Sequence, residues 1–184
     1  METEKGLLLK ADYEALVKLA KDNNKDVSEF IDRVTVKNGR VIDAPFPGQR
    51  LKNISALSSL AKLRVLRLNF NQIIDIRPLA QLTELTELGL SGNQIVDISP
   101  IAHLAKLTWL SLDHNQVVSI IPLAQLIKLE RLWLQNNQII DTSSLAKLTK
   151  LIDLSIQRNP LLKTQELRTL IEELKPRCHV EIDP

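Results

Sequence analysis

The sequence predicts an α/β solenoid, a curved stack with short parallel strands on its concave face and short 3₁₀ or α-helical segments on its convex face. A helical cap precedes the stack and a helix-plus-strand cap follows it. Three observations carry this expectation. Five segments superimpose when the chain is written from Leu63, Leu85, Leu107, Leu129 and Leu151, each start lying 22 residues after the last. Within each segment leucines alternate, as at Leu66 and Leu68 or Leu88 and Leu90, which is a short strand turning one face inward. Outside the array apolar residues change to helical spacing, as caps over the open ends of a stack require. Residues 1–40 are thus expected to form a cap with a hairpin, 41–162 one degenerate and five regular repeats, and 163–184 the closing cap.

In chain order, Leu9, Tyr13, Leu16, Val17 and Ala20 fall on one helical face, and Asp26 with Glu29 forms a capping box ahead of Phe30, Ile31 and Val34. Val34 to Ile42 alternates about Asn38-Gly39, the strongest short hairpin signal. Its second strand runs into a degraded repeat marked by Val41, Ala44, Phe46, Gln49, Leu51, Ile54, Leu57 and Leu60. The convex half of that repeat is intact, whereas its strand half carries Pro45, Pro47 and Gly48, as suits a terminal unit.

Each regular strand leads to an asparagine: Asn71, Asn93, Asn115, Asn137 and Asn159. There the chain turns with its backbone polar groups buried. A carboxamide supplies both donors and an acceptor, so the file is expected to form a ladder bonding the backbone of its own and the next repeat. Ile73, Ile95, Val117 and Ile139, with Ile76, Ile98 and Ile120, then refill the interior. Pro78, Pro100 and Pro122 suit the first position of short helical turns, and Ser99 stands where a cap would. Those turns pack inward through Leu79, Ile101, Leu123 and Leu145 and then Leu82, Leu104, Leu126 and Leu148. After the array, Thr164 to Lys175 carries Leu167, Leu170, Ile171 and Leu174 as an amphipathic helix closed by Pro176. Cys178, Val180 and Ile182 alternate with His179 and Glu181 as a final edge strand with Cys178 inward.

Composition narrows the function. Aromatics are 3 % of 184 residues while leucine is roughly one residue in five, so the core is aliphatic. A net charge of +2 supplies no global field for a polyanion, and the charges of residues 1–40 balance, so no nucleic-acid or membrane partner is expected. The single cysteine cannot close an internal disulfide, and Leu7, Leu8 and Leu9 are too short a run for a leader, so the cytosol is the expected compartment.

The repeats, notably NQIIDIRPLAQLTELTEL and NQIVDISPIAHLAKLTWL, resemble the 22-residue leucine-rich repeats of the internalins and of the eukaryotic phosphatase-1 regulatory subunit, over roughly residues 41–162. The resemblance implies a non-catalytic scaffold that binds a protein partner on its concave sheet. The sequence shows no secretion or cell-wall sorting signal and no trailing immunoglobulin-like segment, so a role in host adhesion is not expected to carry over. A self-associating structural module and an adaptor regulating a separately encoded phosphatase or GTPase are the alternatives, and a monomer is expected ahead of a weak homo-oligomer.

No motif carries a mechanism. Ser111, Asp113 and His114 invite a triad, but Ser111 and Asp113 share one strand face about 6.6 Å apart and His114, following Asp113 directly, cannot bridge them. No histidine pair has ligand spacing, so neither metal nor cofactor is expected. The informative residues are those flanking the inward leucines. Trp109 and Arg131 share a column of adjacent strands and Trp133 lies two residues further, giving one patch of the residue types richest in binding hot spots. The rings either await a partner or lie flat with Arg131 stacked on Trp109. Ser111, Ser155 and Gly89 are expected to leave hollows around them. Arg67, Phe70, Glu87, Asp113, His114, Asp153 and Arg158 complete the candidate surface, the charged ones as a mixed-sign rim.

Overall fold

The computed structural model describes residues 8–160 and 165–181. Leu7, the helix start at Thr164, the boundary at residue 162 and Ile182 lie outside the described residues, as does the side chain of Leu167. Among those described, eight strands form one open sheet in chain order: β1 (Thr35–Lys37), β2 (Arg40–Pro45), β3 (Val65–Arg67), β4 (Glu87–Gly89), β5 (Trp109–Ser111), β6 (Arg131–Trp133), β7 (Asp153–Ser155) and β8 (His179–Glu181). The first pair is antiparallel and every later pair is parallel. Because the stride is constant, Leu66, Leu88, Leu110, Leu132 and Leu154 stand side by side in register. Behind the sheet run 3₁₀ turns at Ser55–Ser59, Arg77–Gln81, Ser99–His103, Ile121–Gln125 and Ser143–Lys147. Strands at about 4.8 Å spacing against bulkier turns behind curve the solenoid.

The core is a set of leucine and isoleucine files whose members are essentially inaccessible to solvent. Each such side chain contributes about 2 kcal/mol of burial. The repeat that begins at Leu129 departs from the pattern at Thr142, which replaces an isoleucine, and at Ser144, which replaces the proline; both are buried, and the Ser144 hydroxyl donates to the Ile120 carbonyl at 3.0 Å.

The N-terminal hairpin and the first coil share a strand. Asn38 and Gly39 adopt φ of 50° and 72°, the two left-handed residues of a tight hairpin turn, between β1 and β2. β2 then pairs with β3, and beyond it the amides of Phe46 and Gly48 donate to the carbonyls of Arg67 and Asn69. Amides alternate sides along an extended chain, so Pro45 and Pro47 face away from β3, where β1 has already ended at Thr35 opposite Asp43. The prolines therefore cost the ladder nothing.

Helix α1 (Lys10–Asp22) corrects the expected face. It buries Asp12, Ala15, Leu16, Leu19 and Ala20, while Leu9 and Val17 are 48 % and 37 % exposed. Docking on the turn Ser55–Ser59 selects the strip through positions 12, 15, 16 and 19. That strip includes a carboxylate. The fully buried Asp12 accepts the Val41 amide at 2.8 Å and pairs with Arg40 Nε at 2.9 Å, tying the helix to the hairpin. The following turn, α2 (Ser28–Ile31), has its capping box: the Asp26 amide donates to Glu29 and the Ser28 amide to Asp26. Phe30 meets Phe46 edge-on at 4.9 Å, locking the cap to the first coil. At the other end α3 (Gln165–Leu174) buries Leu170, Ile171 and Leu174, and Cys178 lies inward just before β8.

The asparagine ladder forms, with its direction reversed from expectation. Asn115 Oδ1 accepts the Ile95 amide of the preceding coil at 3.0 Å, and its Nδ2 donates to Leu90 of that coil and Leu112 of its own, each at 2.9 Å. Asn71, Asn93, Asn137 and Asn159 repeat the pattern. Asn71 thereby reaches Leu51 and Phe46, so the degenerate coil is held although Gln49 stands in its place in the asparagine file.

The helical turns are likewise capped by a different residue than Ser99. Asp75, Asp97 and Asp141 accept the amides of Arg77, Ser99 and Ser143, and Asn53 accepts that of Ser55. The residue two places earlier can fold back on the turn, which the short Ser99 side chain cannot do from inside it.

Three outcomes are expected. In Asn115→Ala, the Leu90 and Leu112 carbonyls keep donors from Asn93 and Asn137. The buried Ile95 amide loses its carboxamide acceptor, so urea unfolding should show a loss of about 1–3 kcal/mol with an unchanged slope. The Arg77 guanidinium and amide hold the Asp75 carboxyl below its usual range, and the Ser143 amide does the same for Asp141. Their contribution is complete above the unfolded-state carboxylate range and is lost as pH falls below it. The urea midpoint should therefore drop between about pH 5 and about pH 2, and less so in Asp75→Asn/Asp141→Asn, which keeps the caps without the titration. Burial, reinforced by Asp153 and opposed by Arg177, pushes the Cys178 thiol up. Alkylation at neutral pH should be slow until denaturant is added.

Candidate functional site

The constant register lays the outward side chains of the sheet into columns. Asp43, Val65, Glu87, Trp109, Arg131, Asp153 and His179 form one, and Pro45, Arg67, Gly89, Ser111, Trp133, Ser155 and Glu181 its neighbour. Trp109 and Trp133 are diagonal neighbours across β5 and β6, and their rings meet at 5.1 Å between centroids with planes tilted 52°. Both are half-buried. The contact that organises the patch is thus indole on indole. Trp133 is flanked in register by Ser111 and Ser155, both buried, so the room the small residues leave is taken up beside the protein's own ring. The space at Gly89 is also filled, since a β-carbon there would stand 2.7 Å from the Asn69 Oδ1 that accepts the Ser91 amide. The hollow lies elsewhere. A depression of about 280 Å³ opens beside Trp109, bounded by Arg67, Glu87, Thr108, Glu130 and Arg131.

Most of the expected rim charges are committed to one another. Arg67 pairs with Glu87 at 2.8 Å and Asp43 at 3.5 Å, and Asp153 with His179 at 3.5 Å. Arg131 is exposed, and among the described residues no carboxylate lies within ion-pair distance of it. It is the cation the patch offers outward.

Ser111, Asp113 and His114 come together around the carboxylate. The Ser91 and Ser111 hydroxyls each donate to Asp113 at 2.6 Å, His114 Nδ1 lies 3.0 Å from the same group, and His114 Nε2 lies 3.1 Å from Asn136 Nδ2. Arg158 reaches Asn136 Oδ1 at 3.5 Å. The serines bond the aspartate rather than the histidine, so the Ser–His–Asp order of a nucleophilic triad is not formed by these residues. The chemistry of the network is fixation of side chains along one lip of the sheet.

That lip has its own cause. Gly48, Phe70, Gly92, His114, Asn136 and Arg158 stand 22 residues apart, and all have positive φ between 54° and 66°. The turn that aims the following side chain beneath the preceding coil needs a left-handed residue, which only glycine adopts freely. Phe70 is 67 % exposed and its ring covers Gly92, where a β-carbon would meet it at 2.6 Å. A second file escaped sequence reasoning: Ile74, Val96, Val118 and Ile140 are exposed along the flank, Ile74 by 62 %. The signal was present, because adjacent residues such as Ile73 and Ile74 in an extended segment cannot both face inward.

The repeats have counterparts among known proteins. A family model described as leucine-rich repeats (2 copies) matches residues 61–103 and again 105–147. A leucine-rich-repeat protein of Leptospira interrogans is 33 % identical over 72 % of this chain and 34 % of its own, with a TM-score of 0.64. Internalin C2 of Listeria monocytogenes is 26 % identical over 95 % of this chain and 86 % of its own, with a TM-score of 0.60. The ectodomain of the receptor kinase SOBIR1 of Arabidopsis thaliana, 19 % identical over 83 % of this chain and 95 % of its own, shares the fold at a TM-score of 0.68. The chain thus spans about a third of the Leptospira protein, and no curated protein matches its sequence significantly. By its stride, its asparagine ladder and these likenesses, the chain carries leucine-rich repeats and resembles the leucine-rich-repeat proteins, the internalins among them.

Proposed function

We propose that this protein is a non-catalytic recognition module whose concave face holds a segment of a protein partner. Solenoids of this kind present extended concave surfaces and typically act in protein–protein interaction. The observation that carries the reading is the placement of both tryptophans of an otherwise aliphatic chain in contact on the open sheet, beside the outward Arg131. Tryptophan and arginine supply large contact area with directional polar ends, and clustered anchors of this kind dominate binding energy. The depression beside Trp109 receives a partner side chain, while Arg131 pairs with an acceptor that the partner brings. The Arg67–Glu87 pair and the Asp113–His114–Asn136 network hold the flanking polar groups in fixed orientation, which lowers the entropy lost on binding.

Trp109→Ala and Trp133→Ala should each weaken capture of a partner by about 2 kcal/mol or more while leaving urea unfolding close to wild type. The measurement is quantitative cross-linking and affinity capture with the wild-type chain and the double variant side by side. Equal capture by both would remove the patch from the reading. Light scattering that rises with concentration in the wild type and not in the double variant would reassign the rings to self-association.

A further inference from the structure

A second surface lies where the N-terminal hairpin meets the first coils. A cleft of about 320 Å³ is lined by Lys37, Arg40, Ile42, Lys62, Arg64 and Glu84. Its internal charge is already accounted for in part. Arg40 is held by the buried Asp12 at 2.9 Å, and both oxygens of Glu84 accept from Lys106 Nζ at 2.8 Å. Lys62 and Arg64 lie close enough to help the Lys106 ammonium hold the Glu84 carboxyl below its usual range. Lys37, Lys62 and Arg64 are exposed, and among the described residues none has an ion-paired carboxylate of its own. Three cations without a contact ion pair among the described residues thus share one cleft with the already neutralised Glu84, on a chain whose whole formal charge is +2, so this corner is positive beyond the molecule's average.

The shape of the cleft narrows what enters it. A phosphate site is built from converging backbone amides, but the Arg64 amide is spent on the Ile42 carbonyl at 2.9 Å, and the cations are side chains from the end of β1 and from the Lys62–Arg64 segment that leads into β3. Nucleic-acid grooves supply rings for base stacking, and no aromatic residue lines this one. Ile42 and the lysine stems give instead a strip of apolar contact beneath spaced cations. We propose that the cleft binds an extended acidic segment of a protein partner, its carboxylates meeting Lys37 of β1 on one side and Lys62 with Arg64 on the other. The proposal stands apart from the tryptophan patch and uses none of its residues.

The probe is a fluorescein-labelled glutamate-rich peptide of about eight residues, followed by anisotropy at low ionic strength, where exposed charges act over a longer range. Inorganic phosphate and a single-stranded oligothymidylate of equal charge are the comparison ligands. Lys37→Glu/Lys62→Glu/Arg64→Glu should lose about tenfold or more in peptide affinity, and the neutralising Lys37→Gln/Lys62→Gln/Arg64→Gln should follow it if the reversal fails to fold. Lys128→Glu/Lys147→Glu/Lys150→Glu makes the same change of charge at the far end of the array and should retain binding, as should Trp109→Ala/Trp133→Ala. Equal losses in the two triple reversals, absence of peptide binding, displacement of the peptide by phosphate, or tighter binding of the oligonucleotide would each overturn the assignment.

Discussion

Satisfying the backbone at the buried end of each strand is the constraint from which the rest of this structure follows. A chain that turns inside its own core leaves amides and carbonyls away from water, and each orphan costs as much as a good deal of leucine burial returns. The asparagine resolves this with one side chain that reaches backward as well as within its coil, as Asn93 does by accepting from Ile73 and donating to Leu68 and Leu90. Because each rung needs a preceding coil, the array requires a first coil that only receives. The degenerate repeat fulfils that role, which explains why Gln49 stands in the asparagine file without harm.

The same backward reach dictates the left-handed residue before every rung, and there the fold accepts strain where it lacks glycine. Phe70, His114, Asn136 and Arg158 hold a conformation that L-residues seldom take, over-determined by the rung that follows each of them. Their side chains are thereby thrown onto one lip of the concave face. A structural necessity of the turn therefore supplies a file of varied, outward-facing side chains, and His114 and Asn136 become links in a polar network instead of isolated surface groups.

Legibility in the sequence tracked periodicity. The parallel sheet, the convex turns, the hairpin at Asn38-Gly39 and the inward files could all be read, because identical residues at a fixed stride face identical surroundings. What escaped was relational. Asp12 sits at helical spacing with Ala15, Leu16 and Leu19, yet only the packed hairpin shows why a carboxylate belongs there. Arg67 and Glu87 looked like free rim charges and are bonded to each other across one strand step. Ser111, Ser155 and Gly89 looked like hollows, but neighbouring side chains occupy that space.

The sequence by itself determined the stride, the identity of the core files and the face on which both tryptophans stand, since each follows from local alternation repeated at constant spacing. Tertiary structure alone decided that the indoles touch, that Arg131 has no ion-pair partner among the described residues while its neighbours pair, that the asparagines point backward, and that Lys37 of the hairpin meets Lys62 and Arg64 in one cleft. The division has a physical cause. Periodic burial is a property of the chain against solvent, whereas pairing among outward groups depends on distances between coils that curvature and side-chain reach set only once the stack is closed against its caps.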